Sequence, residues 1–287
     1  MSETTIAVID QPAGRAGTPA GGGPELPVPG RAPLRRAGRL LGSGVRRIVA
    51  IAAFLALWQI APTVGWVDRA FLSPLSEVLD TWWGLAVGGD LWTNIWASLH
   101  RSLTGFVIAI SIAVPLGLLI AWYRAVAGVL SPLLAIFLNT AAVALLPVFT
   151  LILGIGDTSK IAIIAYACFW PVLYNTISGA RDVDPLLIKS ARSLGLPHIK
   201  LFVKVIVPAA LPTIFTGIRL AGAGSMLVLI TTEYVGAKAG LGYMIISAQF
   251  NFQIPEMYAG ILTVSIIGVA FNYLLLFIES KVLRWRA

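Results

Sequence analysis

Apolar stretches at 48–67, 99–122, 128–153, 158–179, 209–235 and 257–283 each approach or exceed the roughly 20 residues a helix needs to cross a bilayer. In hydrocarbon a chain must satisfy its own backbone N–H and C=O groups, so spans of this kind dictate an all-α membrane bundle. Six transmembrane helices are expected. Pro132 and Pro147 in the third span and Pro212 in the fifth are expected at kinks or ends. Composition agrees, with 57% hydrophobic residues against 12% charged, a balance foreign to soluble domains.

A net charge of +8, from 21 basic and 13 acidic residues, suggests nucleic acid as a partner. The placement of the basic residues excludes it, because they lie between the spans and form no single stripe. Arg31, Arg35, Arg36, Arg39, Arg46 and Arg47 precede the first span, a topology signal that also suits anionic headgroups. A partner-binding tail is the alternative. With that cluster in the cytoplasm, six basic residues in 31–47, Arg124, five in 180–208, and Lys281, Arg284 and Arg286 fall inside. Arg69, Arg101, Lys160 and Lys238 fall outside. Fifteen against four is a firm positive-inside bias, with both termini cytoplasmic.

Three regions are expected. Residues 1–45 form a basic cytoplasmic tail whose Gly- and Pro-rich start is read as disordered, with no signal-peptide core. Residues 46–98 form the first span and an external segment. There Trp82, Trp83, Trp92 and Trp96 suit the outer headgroup layer. Residues 99–287 form a five-helix core with a cytoplasmic loop at 180–208. The lone cysteine, Cys168, lies in an apolar run, so it is read as a small buried hydrophobe, with no disulfide framework or cysteine metal cluster.

The stretch from Asp184 to Pro212 carries Lys189, Arg192, Lys200 and Lys204 between apolar spans. Asp184-Pro185 reads as an N-cap with proline at the first helical position. Gly195 closes that short helix. Pro197 opens a second one, with Ile199, Phe202, Val203 and Ile206 as its apolar stripe. Pro208 and Pro212 are expected to stop or kink the helix beyond it. The stretch is too basic for lipid and too apolar for a free loop.

These residues resemble the cytoplasmic loop of permease subunits in bacterial ABC importers. Its signature is Glu-Ala-Ala, three residues, Gly, nine residues, then Ile-x-Leu-Pro. Lys189-Ser190-Ala191 stands at the first place, Gly195 follows at the right interval, and Val205-Ile206-Val207-Pro208 closes the pattern. The resemblance implies a coupling helix that docks on a separate ATPase, with Lys189, Ser190, Ala191, Gly195, Leu196, Pro197, His198, Phe202, Val205 and Pro208 in the coupling unit. Lys189 reverses the family charge. An ordinary amphipathic loop helix is the other reading.

Further agreement narrows the branch: Leu72-Ser73-Pro74-Leu75-Ser76-Glu77-Val78, Ser98-Leu99-His100-Arg101, Gly105-Phe106, Pro115-Leu116-Gly117, Leu146-Pro147, Gly154-Ile155-Gly156 and Gly240-Leu241-Gly242-Tyr243. Over about 70–283 the chain is similar to importer permeases for nitrate, taurine and alkanesulfonates. Other members of that branch take thiamine-precursor pyrimidines or other small organic solutes. The resemblance implies the type I ABC importer permease fold in the cytoplasmic membrane of a bacterium. It implies no cofactor on this chain, ATP and Mg on a partner ATPase, an external solute-binding protein, and a second permease copy, usually identical.

The residues themselves offer little chemistry. No phosphate-binding G-x-x-x-x-G-K-[ST] occurs, and Gly154 to Lys160 misses its spacing. The only histidines, His100 and His198, fall on opposite sides of the membrane, so no metal site is expected. A membrane enzyme would need convergent acid, base or metal residues that the spans lack. A channel or secondary carrier would work without an ATPase. Glu233, in Thr231-Thr232-Glu233-Tyr234, is costly in lipid without a partner or water. It lines a pathway near the outer gate, fixes the 236–256 loop by an ion pair, or reaches the interface. Thr231, Thr232, Glu233, Gly240 and Gly242 are the pathway and gate candidates. Arg219 anchors the inner end or snorkels. His100 and Arg101 greet an anion or sit at the interface. Gly217, Ala221, Gly222 and Gly224 are small enough for close helix packing.

Overall fold

The computed structural model of the chain describes residues 32–284. Residues 1–31 of the tail expected at 1–45 lie outside them, as do Arg286 and the side chains of Arg35, Arg36, Arg39 and Arg47. Among the described residues every regular element is a helix. α1 (Ala32–Thr63) begins within the stretch read as tail and runs through the first apolar span. Residues up to Ala53 form one unit, and Phe54 onward forms the second.

In the second unit α2 (Leu75–Gly88) and α3 (Asp90–Trp122) lead to α4 (Arg124–Leu138), a 3-10 turn at Ala142–Leu145 and α5 (Leu146–Leu153). Then come α6 (Asp157–Arg181), α7 (Pro185–Ser193), α8 (His198–Leu201), a π turn at Phe202–Ile206 and α9 (Val207–Glu233). α10 (Leu241–Phe250) and α11 (Ile254–Val282) close the chain.

Four helices are long and apolar enough to cross a membrane: α3, α6, the continuous His198–Glu233 and α11. They hold the second, fourth, fifth and sixth expected spans. The described apolar part of the first, Ile48–Thr63, is shorter. The third, expected as one helix over 128–153, is broken. α4 stops at Leu138 and α5 restarts with Pro147 in its first turn, where a missing N–H costs nothing. That proline offers no donor to a carbonyl one turn earlier, which favours a helix start at this point.

The second unit is organised on α3, α6 and α9. α3 and α6 run in the same direction, with Gly105 against Ile164 and Gly117 against Thr176. α9 runs against them, Gly217 meeting Asn175 and the Pro171 carbonyl. A Cβ on Gly105 would come within 2.8 Å of the Ile161 carbonyl. Such approach matters because lipid gives helices no hydrophobic reason to associate. Gly222 faces Leu275 and Phe271 of α11, whereas Gly224 meets nothing within 4 Å in this chain. The core joins Phe106, Ala113, Ile164, Val172, Ala221 and Phe271, and Cys168 is buried among them as expected.

The segment expected outside becomes α2 and the first turns of α3. Trp83, Trp92 and Trp96 are exposed there. Trp82 differs from the expectation: its indole donates to Thr263 Oγ1 at 3.0 Å and fastens α2 to α11.

Candidate functional site

At one end of the bundle, the Asp184 carboxylate accepts the Leu186 N–H at 2.8 Å, with Pro185 opening α7. At the other end of α7 the Gly195 N–H reaches the Arg192 carbonyl at 2.9 Å, and the Leu196 N–H reaches that of Ala191 at 3.2 Å. Gly195 takes φ +74° to make this closure, a conformation that a side chain resists. Ala191 is the buried contact of α7. Leu186 (68% exposed) and Leu194 (80% exposed) point away from the bundle. Lys189, Ser190, Pro197 and His198 are exposed too, and Leu196 is half-buried. Clefts of about 540 and 830 Å³ flank α7. Leu187, Lys204 and Pro208 line the first. Trp122, Arg181, Arg192 and His198 line the second.

The expected stripe of the second loop helix is not one face. Leu201 is buried, Ile199 and Val203 are exposed, and Phe202 and Ile206 are half-buried. Phe202 packs edge-to-face on Trp122, with centroids 4.6 Å apart. A wider turn causes the change. The Val207 N–H bonds the Phe202 carbonyl, five residues back, through the π turn, and this breaks the 3.6-residue period. Pro208 and Pro212 do not stop the helix: Pro208 falls in the first turn of α9 and Pro212 inside it. The π turn re-routes the ladder next to Pro208, so loop and span form one rod. Val205 and Pro208 are half-buried where the rod meets the first cleft.

At the opposite end of that rod stands an ion cluster. Glu233 is fully buried. Its carboxylate accepts hydrogen bonds from Arg101 at 2.6 Å, from Ser98 at 2.8 Å and from the Gly242 N–H at 2.8 Å. Arg101 also donates to the Ala239 carbonyl at 2.7 Å and to Asp157 at 2.8 Å. Its side chain is 6% exposed, whereas that of Asp157 is 60% exposed. Asn94 accepts the Gly240 N–H and Ser98 accepts that of Leu241, both at 2.8 Å. Lys160 is buried beside them and donates to the Gly156 carbonyl at 3.3 Å. Gly240, at φ +132°, leaves room that a Cβ would take from the Glu233 carboxylate. One guanidinium thus fastens α3 to α6, to α9 and to the turn before α10.

Thr231 and Thr232 bond carbonyls of their own helix. Arg219 sits 3.3 Å from Glu279 of α11, so the span supplies its counter-ion. His100 is exposed. Among the described residues no three His, Cys, Asp or Glu side chains gather to hold a metal. Sequence reasoning named Arg101 without its partners and missed Asn94, Asp157 and Lys160 as members of the cluster. Arg101 stands 56 positions from Asp157 and 132 from Glu233, so no local spacing signals the meeting.

The family described as "binding-protein-dependent transport system inner membrane component" matches residues 113–284. A probable ABC transporter permease protein of Brucella abortus (strain 2308) is 31% identical over 86% of this chain and 98% of its own. A putative aliphatic sulfonates transport permease of Bacillus subtilis (strain 168) is 31% identical over 88% of this chain and 91% of its own. In structure, the chain is similar to a subunit of the MetNI methionine ABC transporter in an inward-facing form. The TM-score is 0.54 and the identity 20%, over 69% of this chain and 96% of that one.

Proposed function

The chain belongs to the family of inner membrane components of binding-protein-dependent transport systems, and from that premise we propose that it carries a small oxyanion across the cytoplasmic membrane under the power of a separate ATPase. The chain is a transport subunit and not an enzyme. The oxyanion class, a sulfonate, taurine or nitrate, draws on the sequence resemblance and on the name of the Bacillus relative. The partners are an ATPase holding ATP and Mg, an external solute-binding protein, a second copy of this chain, and lipid. Both termini lie in the cytoplasm, residues 46–98 supply the first span and an external segment, and 99–287 supply the transporting core.

One observation carries this reading: the short exposed α7 is joined by the elbow at 195–197 to the continuous His198–Glu233 helix, whose far end is a buried charge cluster. Leu186, Ser190 and Leu194 offer the surface for an ATPase groove, and Lys189 stands beside them. ATP closes the ATPase pair and draws the two docked loops together. α9, held to α6 and α3 along its length, carries that displacement outward as a rigid body. The bundle needs two packings of similar energy and no catalytic centre. Glu233 serves as a structural tie at the outer gate, since a carboxylate enclosed by Arg101 and Ser98 does not meet an anionic solute. Purifying the tagged chain from its native membrane tests the proposal. A P-loop ATPase should travel with it, and uptake of the solute should cease when ATP hydrolysis is blocked. Uptake that persists without hydrolysis would point to a carrier or channel instead.

A further inference from the structure

Among the described residues three side-chain polar atoms are buried without a hydrogen bond: Tyr166 Oη, Trp170 Nε1 and Glu279 Oε2. Arg219 explains the last by charge. The other two share one face of α6, one turn apart, as the tenth and fourteenth of its 25 residues. That places two unused donors midway along a membrane-crossing helix, where an unpaired polar group has no water to turn to.

Both face the broken third span. Phe137, next to last in α4, stacks on Trp170 at 4.7 Å with planes 8° apart. Phe149 of α5 lies 6.1 Å from Tyr166. The two rings on α6 meet edge-on at 5.7 Å. One phenylalanine therefore comes from each side of the interruption at 139–145. An interrupted helix beside mid-membrane polar groups is how many carriers build a solute site. Here the rings packed against Tyr166 and Trp170 come from two short helices, α4 and α5, and not from one full span.

We propose that Tyr166 and Trp170 form a transit site for the oxyanion, the hydroxyl and the indole N–H each donating one hydrogen bond to its oxygens as it crosses. This rests on the oxyanion reading of the transported solute. An indole N–H only donates, which suits an ion whose oxygens only accept. Neutral donors also suit passage, because a site must hold its ion weakly enough to release it. Arg101, by contrast, has its Nε and one terminal nitrogen engaged by Asp157, Glu233 and Ala239.

The test uses the complete complex of permease, ATPase and binding protein in liposomes, supplied in turn with labelled taurine, ethanesulfonate and nitrate. Tyr166→Phe removes only the hydroxyl, and Trp170→Phe removes the N–H. For whichever probe the unaltered complex imports, each variant should lower uptake per ATP hydrolysed about tenfold. ATPase stimulation by the loaded binding protein, and the melting temperature of Tyr166→Phe, should stay as before. Uptake per ATP unchanged in both variants overturns the site and leaves the oxyanion reading standing. So does a joint fall of uptake, ATPase and melting temperature in both, which marks a packing role. Import of none of the three probes by the unaltered complex overturns the oxyanion reading, and the site with it.

Discussion

Arg101 shows how much one side chain can fix. Its buried arm, to Glu233, ends on a carboxylate with no access to water, while its other arm ends on the largely exposed Asp157. Removing one partner of a buried pair costs about 3–5 kcal/mol, because the other charge is stranded. A pair with one largely exposed end, like Arg101–Asp157, contributes less, toward the about 0–1 kcal/mol of surface pairs. Glu233→Ala should therefore lower the melting temperature in detergent far more than Asp157→Ala, and thermal unfolding of the two variants side by side checks it. Gly242→Ala should also destabilise, by about 1–3 kcal/mol, since its Cβ would press to 2.6 Å on the Ile230 carbonyl. Gly224→Ala should be neutral in the same assay, with open space around it. The sequence singled out Glu233 because a carboxylate in an apolar span demands a partner. It could not supply the partner's position, because Arg101 and Asp157 arrive on other helices. Tyr166 and Trp170 drew no notice, being ordinary among aromatics until their polar atoms were found unpaired.

At the scale of elements, local signals were read well where one residue decides the backbone. Asp184-Pro185 starts α7 and Gly195 closes it, each through its own hydrogen bonds. Prolines were read less sharply: a stop or a kink was expected at Pro208 and Pro212, and neither stops the helix. Pro208 sits in the first turn of α9 beside a π turn and the helix stays continuous, while Pro147 falls in the first turn of α5, after the third span has broken. A hydrophobic period cannot tell these cases apart, since both stretches stay apolar throughout. Two changes in the loop separate geometry from charge. Gly195→Pro cannot adopt φ +74°, so it should abolish ATP-driven uptake while membrane insertion, tracked by fractionation, stays normal. Lys189→Glu should leave ATP-driven uptake intact or change it modestly, because the lysine is an exposed surface charge.

For the whole molecule, the proposed mechanism is mechanical: α3, α6 and α9, joined by close contacts at Gly105, Gly117 and Gly217 and by the Arg101 cluster, are to move as one body. The apolar spans and the basic-residue bias were enough to predict a helical membrane bundle. They could not reveal those contacts, which depend on which small residues meet across helices. Everything then rests on which protein grips α7, the short helix joined to the rod by the elbow at 195–197. A photocrosslinker placed at Leu186 or Leu194, activated in native membranes and identified by mass spectrometry of the adduct, measures this directly. A single dominant adduct with a nucleotide-hydrolysing subunit is predicted, formed only on the cytoplasmic side. Adducts that never include such a subunit, or labelling of these positions by a membrane-impermeant reagent added outside intact cells, would contradict it.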